Sequence, residues 1–425
     1  MSKKAYPQYK PSGVTWLGKI PEHWETRRAI YCCNLNMGQS PISEECNVDG
    51  GGLPFLQGCA EFGAISPEPA QYCDTVRKVA AKGDILISVR APVGALNIAD
   101  RDYGIGRGLC AVRPRQDFIE ATFCWYLLHE MREQLNIQAT GSTYKAVSAE
   151  DVGNIQFIIP PLEEQRAIAA FLDRETARID ALIEKKQKQI ELLQEKRTTL
   201  ISQVVTKGLT QDVKMKDSGI EWLGEIPEHW RINKAKVLFK EINERSTSGE
   251  EELLTVSHIT GVTRRSEKNV TMFLAESLEG YKRCESRDLV INTMWAWMGA
   301  MGIAFEPGIV SPSYNVYRFR TSDYEPRFYD YLFRTGRFVS EVIRHSKGVW
   351  TSRLRLYPEE FFEIRLPCPP LLEQRNIVNA IERETGKYMV LQQRIEQSIN
   401  KLREYRTALI SAAVTGKIDV RKETA

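Results

Sequence analysis

No stretch of this 425-residue chain approaches the ~18 consecutive apolar residues that a membrane-spanning helix needs, so no such span is expected. The opening segment, MSKKAYPQYKPSG, is polar and has no apolar run behind its lysines, which sets the expectation of a cytoplasmic protein without a secretory leader. Cysteine is present nine times, an odd number, but never as C-x-x-C and never at ligand spacing with the five histidines. Reduced, mostly buried thiols are expected. Neither sign of charge dominates: 58 Lys and Arg face 55 Asp and Glu, a net of +3, which neither demands nor excludes a polyanionic partner.

Catalytic signatures are missing as well. There is no G-x-x-x-x-G-K-[ST] phosphate loop, and GIGRG at Gly104–Gly108 has its glycines at another spacing, so it reads as a turn before a strand starting at Leu109. The Asn-Pro-Pro-aromatic tetrapeptide of an amino-methyltransferase is absent, as is an acidic pair followed by E-x-K in a strand, the mark of many nucleases. His23 and His229 both fall in P-E-H-W, where they are expected to hold a loop by hydrogen bonding; Trp16, Trp24, Trp222 and Trp230 read as packing anchors.

What the chain does contain is itself, twice. SGVTWLGKIPEHW, ending at Trp24, returns 206 residues later as SGIEWLGEIPEHW with ten of thirteen letters unchanged. PPLEEQRAIAAFLDRETARID from Pro160 returns 209 residues later as PPLLEQRNIVNAIERETGKYM from Pro369. The second copy thus carries a net insertion of three residues between its two blocks. Chance does not supply such matches; the chain is a duplication.

Stepping alternately four and three residues from Leu172 picks out an apolar seam that includes Ile179, Ile183, Ile190, Leu193 and Leu200. The same walk 209 residues on gives Ile381, Tyr388, Ile395, Ile399, Leu402 and Leu409. Pro-Pro and a Glu-bearing first turn open both segments, and Gly208 and Gly416 follow their ends. Two helices with matched stripes are expected to bury them against one another, antiparallel if the repeats are related by a pseudo-twofold axis. About 40 residues would make a rod of roughly 60 Å.

The regions at about 30–158 and 236–366 share an outline without long identity. Each has a turn and β-run in which Asp84, Ile87 and Gly94 align with Asp288, Ile291 and Gly299. A strand follows (GLCAVRP; YNVYRFR), then a helical patch (FCWYLLHEM; RFYDYLFRT), then a last strand before Pro-Pro. The expected fold class is α+β. Its divisions are a first domain at 1–159, a repeat helix at 160–209, a second domain at 210–368 and a second repeat helix at 369–425.

The order WLGxIPEHW, variable domain, PPLEEQRAIAxFLDxETARID with a long helix, then all three again, resembles the specificity subunit of a type I DNA restriction-modification system over nearly the whole chain. The resemblance implies two target recognition domains, each reading one half of a bipartite site in double-stranded DNA, separated by an antiparallel coiled coil that sets the gap between the half-sites. It further implies two modification (methyltransferase) subunits bringing S-adenosylmethionine, and two restriction subunits using ATP and Mg. No cofactor is expected in this chain, nor catalysis, nor a membrane partner. A coiled-coil adaptor without DNA readout is the competing expectation.

Candidate DNA-contacting residues are polar, cationic or aromatic positions in loops of the shared outline. In the first domain these are Arg90, Arg107, Ser142, Thr143, Tyr144 and Lys145. In the second they are Trp295, Trp297, Ser313, Tyr314, Asn315, Lys347, Ser352, Arg353 and Arg355. For Trp295 and Trp297 a place in the core, on alternate positions of a strand, is the strongest competing expectation.

Overall fold

Two strands buried at every position lie at the centre of this fold. In the computed structural model, which describes residues 4–42, 45–138, 146–210, 212–268, 277–348 and 354–421, these are Ile85–Ser88 and Leu289–Asn292. Successive side chains of a strand point to opposite faces, and here both faces are covered. Ile85 and Ile87 join one apolar cluster and Leu86 another; Leu289 and Ile291 likewise separate from Val290.

The chain forms two compact units, Met1–Lys185 with Gln397–Ala425, and Lys186–Glu396. In the first, an antiparallel sheet runs in the order Leu96–Ile98, Ile85–Ser88, Leu109–Pro114, Cys33–Met37. The helix Ala121–Gln138 packs Phe123, Leu127 and Met131 into the cluster on one side of it. A second sheet of five short strands contributes Leu56, Ala80, Tyr103 and Ile105 to the cluster on the other side. The second unit repeats the first sheet as Met301–Ile303, Leu289–Asn292, Tyr314–Phe319, Phe239–Ile242. Its other layer keeps the order of the first in reduced form: Gly261–Arg264 pairs with Leu254–Ser257, Gly308–Val310 pairs with Lys282–Cys284, and a single parallel bridge from Leu253 to Ile309 joins the two ribbons.

The cysteines differ from expectation in one respect. Cys46 and Cys73 are directly opposite one another on antiparallel strands, and their sulfurs are joined in a disulfide. Sequence spacing could not show it, because 27 residues separate the pair and only the strand register brings them together. Of the remaining seven, six are buried thiols and Cys59 is half-buried.

Each repeat helix is long: Leu162–Lys207 and Leu371–Val414. Gly208 and Gly416 end them with positive φ (76° and 72°), the left-handed conformation that glycine adopts without strain. Either helix begins in one unit and ends in the other, so every unit contains the start of one and the end of its partner. In the first unit, Arg421, just beyond the second helix, lies 4.0 Å from Glu164, while Arg406 donates to Asp180 at 2.9 Å. One helix ascends as the other descends. Antiparallel pairing recurs in the second unit, where Val204 and Val205 share a cluster with Ile377 and Ile381, and Lys196 lies 5.9 Å from the ring centre of Tyr388.

Burial follows the predicted seam. Leu172, Ile179, Ile381, Ile395, Ile399 and Leu409 are buried, and Ile183, Ile190, Leu193, Leu200, Tyr388 and Leu402 are half-buried. Leu182 and Leu192, off that register, are exposed. The architecture is α+β, with two units whose sheets follow one plan and a long helix pair that runs antiparallel within each unit.

Candidate functional site

The two repeated sequence blocks touch. Directly after IPEHW, Glu25–Arg28 pairs with Gln156–Ile159, the strand just before Pro-Pro, and Arg231–Lys234 pairs in the same way with Arg365–Cys368. His23 Nε2 lies 2.8 Å from Glu164 Oε2, and His229 Nε2 lies 2.8 Å from Glu373 Oε2. Behind each Glu, a fully buried Gln ties the helix start to its surroundings. Gln165 Nε2 donates to Pro160 O at 2.8 Å and its Oε1 accepts from Glu120 N at 2.8 Å; Gln374 does the same with Pro369 O (2.7 Å) and Glu325 N (2.8 Å). The histidines therefore hold a joint, as expected.

Small differences mark divergence within this frame. Trp230 Nε1 donates to Glu373 Oε1 at 3.0 Å, whereas the Tyr6 hydroxyl occupies the matching oxygen of Glu164 and leaves Trp24 Nε1 without a partner among the described residues. Trp24, Trp222 and Trp230 are buried anchors, but Trp16 is exposed: its side chain projects from the turn before the strand Lys19–Pro21.

A second pair of matching devices fixes the sheets. Arg113 grips the buried Asp84 with Nε and Nη2 at 2.7 and 2.9 Å, and Arg318 grips the buried Asp288 with both at 2.8 Å. Bidentate geometry of this kind is strong and directional. The partner carboxylate raises the pKa of each arginine further, so these two cations are committed to structure.

With the frame fixed, the loops become comparable. In both units the hairpin following the central strand closes on a left-handed glycine, Gly94 or Gly299. In both, a segment returning from farther along the chain donates its main-chain N–H to the first residue after that strand: Val147 N to Val89 O at 2.9 Å, and Leu356 N to Thr293 O at 3.2 Å. Candidate residues chosen separately along the sequence converge here. In the first unit, Val89 N donates to Gly108 O at 2.9 Å, which places the exposed Arg90 and Arg107 on adjoining loops. Neither has an ion-pair partner among the described residues. In the second unit, Thr293 Oγ1 donates to Ser313 O at 2.9 Å, Tyr314 pairs with Asn292, and Lys347 and Arg355 exchange main-chain hydrogen bonds at 2.9 Å.

Trp295 and Trp297 lie in the loop and do not face the core from a strand, because the strand ends at Asn292 and a single 3₁₀ turn, Ala296–Met298, follows. The Asn292 side chain accepts from Met294 N at 3.2 Å and so starts the turn. Asn315 lies inside the sheet, 9% exposed, and accepts from Lys282 Nζ at 3.2 Å; burial lowers the pKa of that lysine. Lys347 is ion-paired with Glu360. Ser142, Thr143, Tyr144, Lys145, Ser352 and Arg353 lie outside the described residues.

Sequence reading overlooked one concavity. In the first unit, a cavity of about 700 Å³ is lined by Ser40, Asn47, Gln57, Gln71 and Arg107, among others. Gln57 Nε2 donates to Ser40 Oγ at 3.0 Å, which orients its amide. No motif marks these amides in the sequence; only the pairing of the five-stranded sheet gathers them beside Arg107.

Comparison with known proteins follows the same lines. The family model described as type I restriction modification DNA specificity domain matches residues 21–192. A putative specificity subunit of the type I restriction enzyme MjaX from Methanocaldococcus jannaschii is 39% identical over 201 residues, which is 47% of this chain and 46% of that protein. The MjaVIII specificity subunit of the same organism is 24% identical over 421 residues, 95% of each chain. The chain therefore matches less than half the length of the first relative and nearly all of the second. Among solved structures, a chain from a study of complex assembly and conformational transition in the type I R-M system has a TM-score of 0.67 at 17% identity, covering 93% of this chain and 98% of that one. The HsdS subunit from Thermoanaerobacter tengcongensis gives 0.54 at 18% identity, covering 94% and 98%.

Proposed function

We propose that this chain, which matches the type I restriction modification DNA specificity domain over residues 21–192 and is similar to type I specificity subunits, is the non-catalytic DNA-reading subunit of such an enzyme. Each unit reads one half of a bipartite site in double-stranded DNA. The paired helices set the number of unread base pairs between the halves and dock two modification subunits, which bring S-adenosylmethionine. Two restriction subunits using ATP and Mg complete the enzyme in the cytoplasm. Among the described residues no helix is long and apolar enough to cross a membrane.

One observation carries this reading: two frames matched down to single hydrogen bonds present unlike loops at equivalent positions. Such a pair suits the recognition of two different short sequences, since a conserved scaffold holds variable contact residues in a fixed pose. A spacer of covalently set length then acts as a ruler, and one added heptad in each helix would lengthen it by roughly 10 Å, about three base pairs. The mild net charge fits a complex in which partner subunits supply much of the phosphate contact.

Methylome sequencing of a host expressing this chain with its modification subunit tests the proposal. A bipartite methylated sequence is expected, and exchanging residues 30–158 for those of another family member should alter only one half. An adaptor without DNA readout predicts an unchanged sequence after the exchange, and a change in both halves would refute independent readers.

A further inference from the structure

We infer that the two units meet their half-sites with unlike chemistry: the second through an apolar contact made by Trp295 with Met294 and Met298, the first through Arg90 in the matching hairpin loop. This inference rests on the proposed role of each unit as a DNA reader.

The equivalence is geometric. Leu96 pairs with Ile87 across the first hairpin and Met301 with Ile291 across the second, and Gly94 and Gly299 close the two loops in the same left-handed conformation. Within that matched frame the first unit presents Arg90, exposed and without an ion-pair partner among the described residues. The second presents Met294, Trp295 and Met298, which are 39%, 50% and 36% exposed. Trp297 stacks on Trp295 with ring centres 6.2 Å apart and planes 17° from parallel, and its own indole N–H is spent on Met294 O at 3.0 Å. The buttress holds the Trp295 ring out from the turn in a defined pose. A rigid exposed aromatic flanked by methionines is costly to leave in water and typical of a contact surface.

The flanking groups point to a duplex as the occupant. Arg355, exposed and without an ion-pair partner among the described residues, adjoins Leu356, whose main-chain N–H is bonded to Thr293, and the Ser313 main chain is bonded to the same threonine. An apolar centre with a cation and a hydroxyl at its rim matches a DNA groove. Base edges, the thymine methyl among them, form the floor, and phosphates form the walls.

The experiment uses the complete methyltransferase complex and duplexes bearing the bipartite site that the methylome defines, with either half intact or scrambled. Binding is measured over a salt series for wild type, W295A, W295F and R90A. W295A is expected to weaken binding roughly tenfold or more, to lose discrimination at the second half-site only, and to keep the wild-type slope of log K against log salt. W295F should restore most of the loss, and R90A should reduce the slope by about 1. Full discrimination at the second half-site in W295A would overturn the inference, as would a salt slope reduced like that of R90A. Loss of modification-subunit assembly with DNA discrimination intact would instead make the patch a protein-docking face, and the inference would fall. If the wild-type complex discriminates neither half-site, the DNA-reading proposal fails with it.

Discussion

Glu164, in the first turn of the first long helix, accepts His23 at 2.8 Å, and 209 residues later Glu373 holds His229 at the same distance. The letters that repeat are therefore those that join each domain to its helix. Glu164 is buried and also receives the Tyr6 hydroxyl. Replacing it with Gln should destabilise the first unit by about 1–3 kcal/mol, since one of its two accepting oxygens becomes an NH2 donor facing Tyr6 or His23. Urea unfolding of E164Q, with a His23/Glu164 double-mutant cycle, measures the coupling. Additive effects of the two substitutions would show that the contact contributes nothing.

The Asp288–Arg318 grip predicts an asymmetry between single and double variants. Arg318→Met strands a carboxylate whose own side chain is buried, at a cost of about 2–4 kcal/mol, between the values for exposed and buried pairs. Adding Asp288→Asn removes the stranded charge and should recover at least about 1 kcal/mol of that loss. Chemical denaturation of the three proteins decides it, and a double variant less stable than Arg318→Met would contradict the account.

Acid sensitivity should trace in part to His129. Its pKa is lowered from 6.5 to about 4, first by desolvation and then by the charges of Arg406 and Arg132; the Trp125 ring packs against it at 4.6 Å. The folded state then binds fewer protons than the unfolded chain between these two values. Stability contributed by the neutral ring is present above about pH 6.5 and is lost as pH falls through about 4. In a two-dimensional NMR titration His129 should have a midpoint well below 6.5, and His129→Gln should flatten the loss of stability between about pH 6.5 and 4.

Thiol reactivity should separate the cysteines. Burial pushes Cys32 up to about 11 and Cys110 and Cys284 up to about 12, while Cys59 is half-buried. Because the thiolate is the nucleophile, iodoacetamide at pH 8 should label Cys59 roughly tenfold faster or more than those three. Peptide mapping by mass spectrometry after timed quenching reads the rates, and equal labelling would mean that the sheets open readily.

Much of this was legible in one dimension. Seam positions such as Leu172, Ile179 and Ile381 were visible because a helix repeats its faces every three to four residues, and burial in the structure follows that register. The aligned Asp84 and Asp288 were visible as letters, but their roles were not. Arg113 and Arg318 reach them across strand pairings that no local pattern encodes. Sites suffered more than scaffold: Asn315 looked like a loop residue and is buried in a sheet, whereas Trp295 does lie in a loop, just past the end of the strand.

By itself the sequence determined the duplication, the class of fold and the two helices with their facing stripes, because identity, alternation and heptad spacing are local properties of the chain. Only the tertiary structure decided which oxygen His23 meets, that Cys46 faces Cys73, and that Arg90 and Trp295 lie in matching hairpin loops. Those outcomes depend on strand register and loop closure, where residues far apart in the chain become neighbours, and register is set by the whole packed core rather than by any nearby letters.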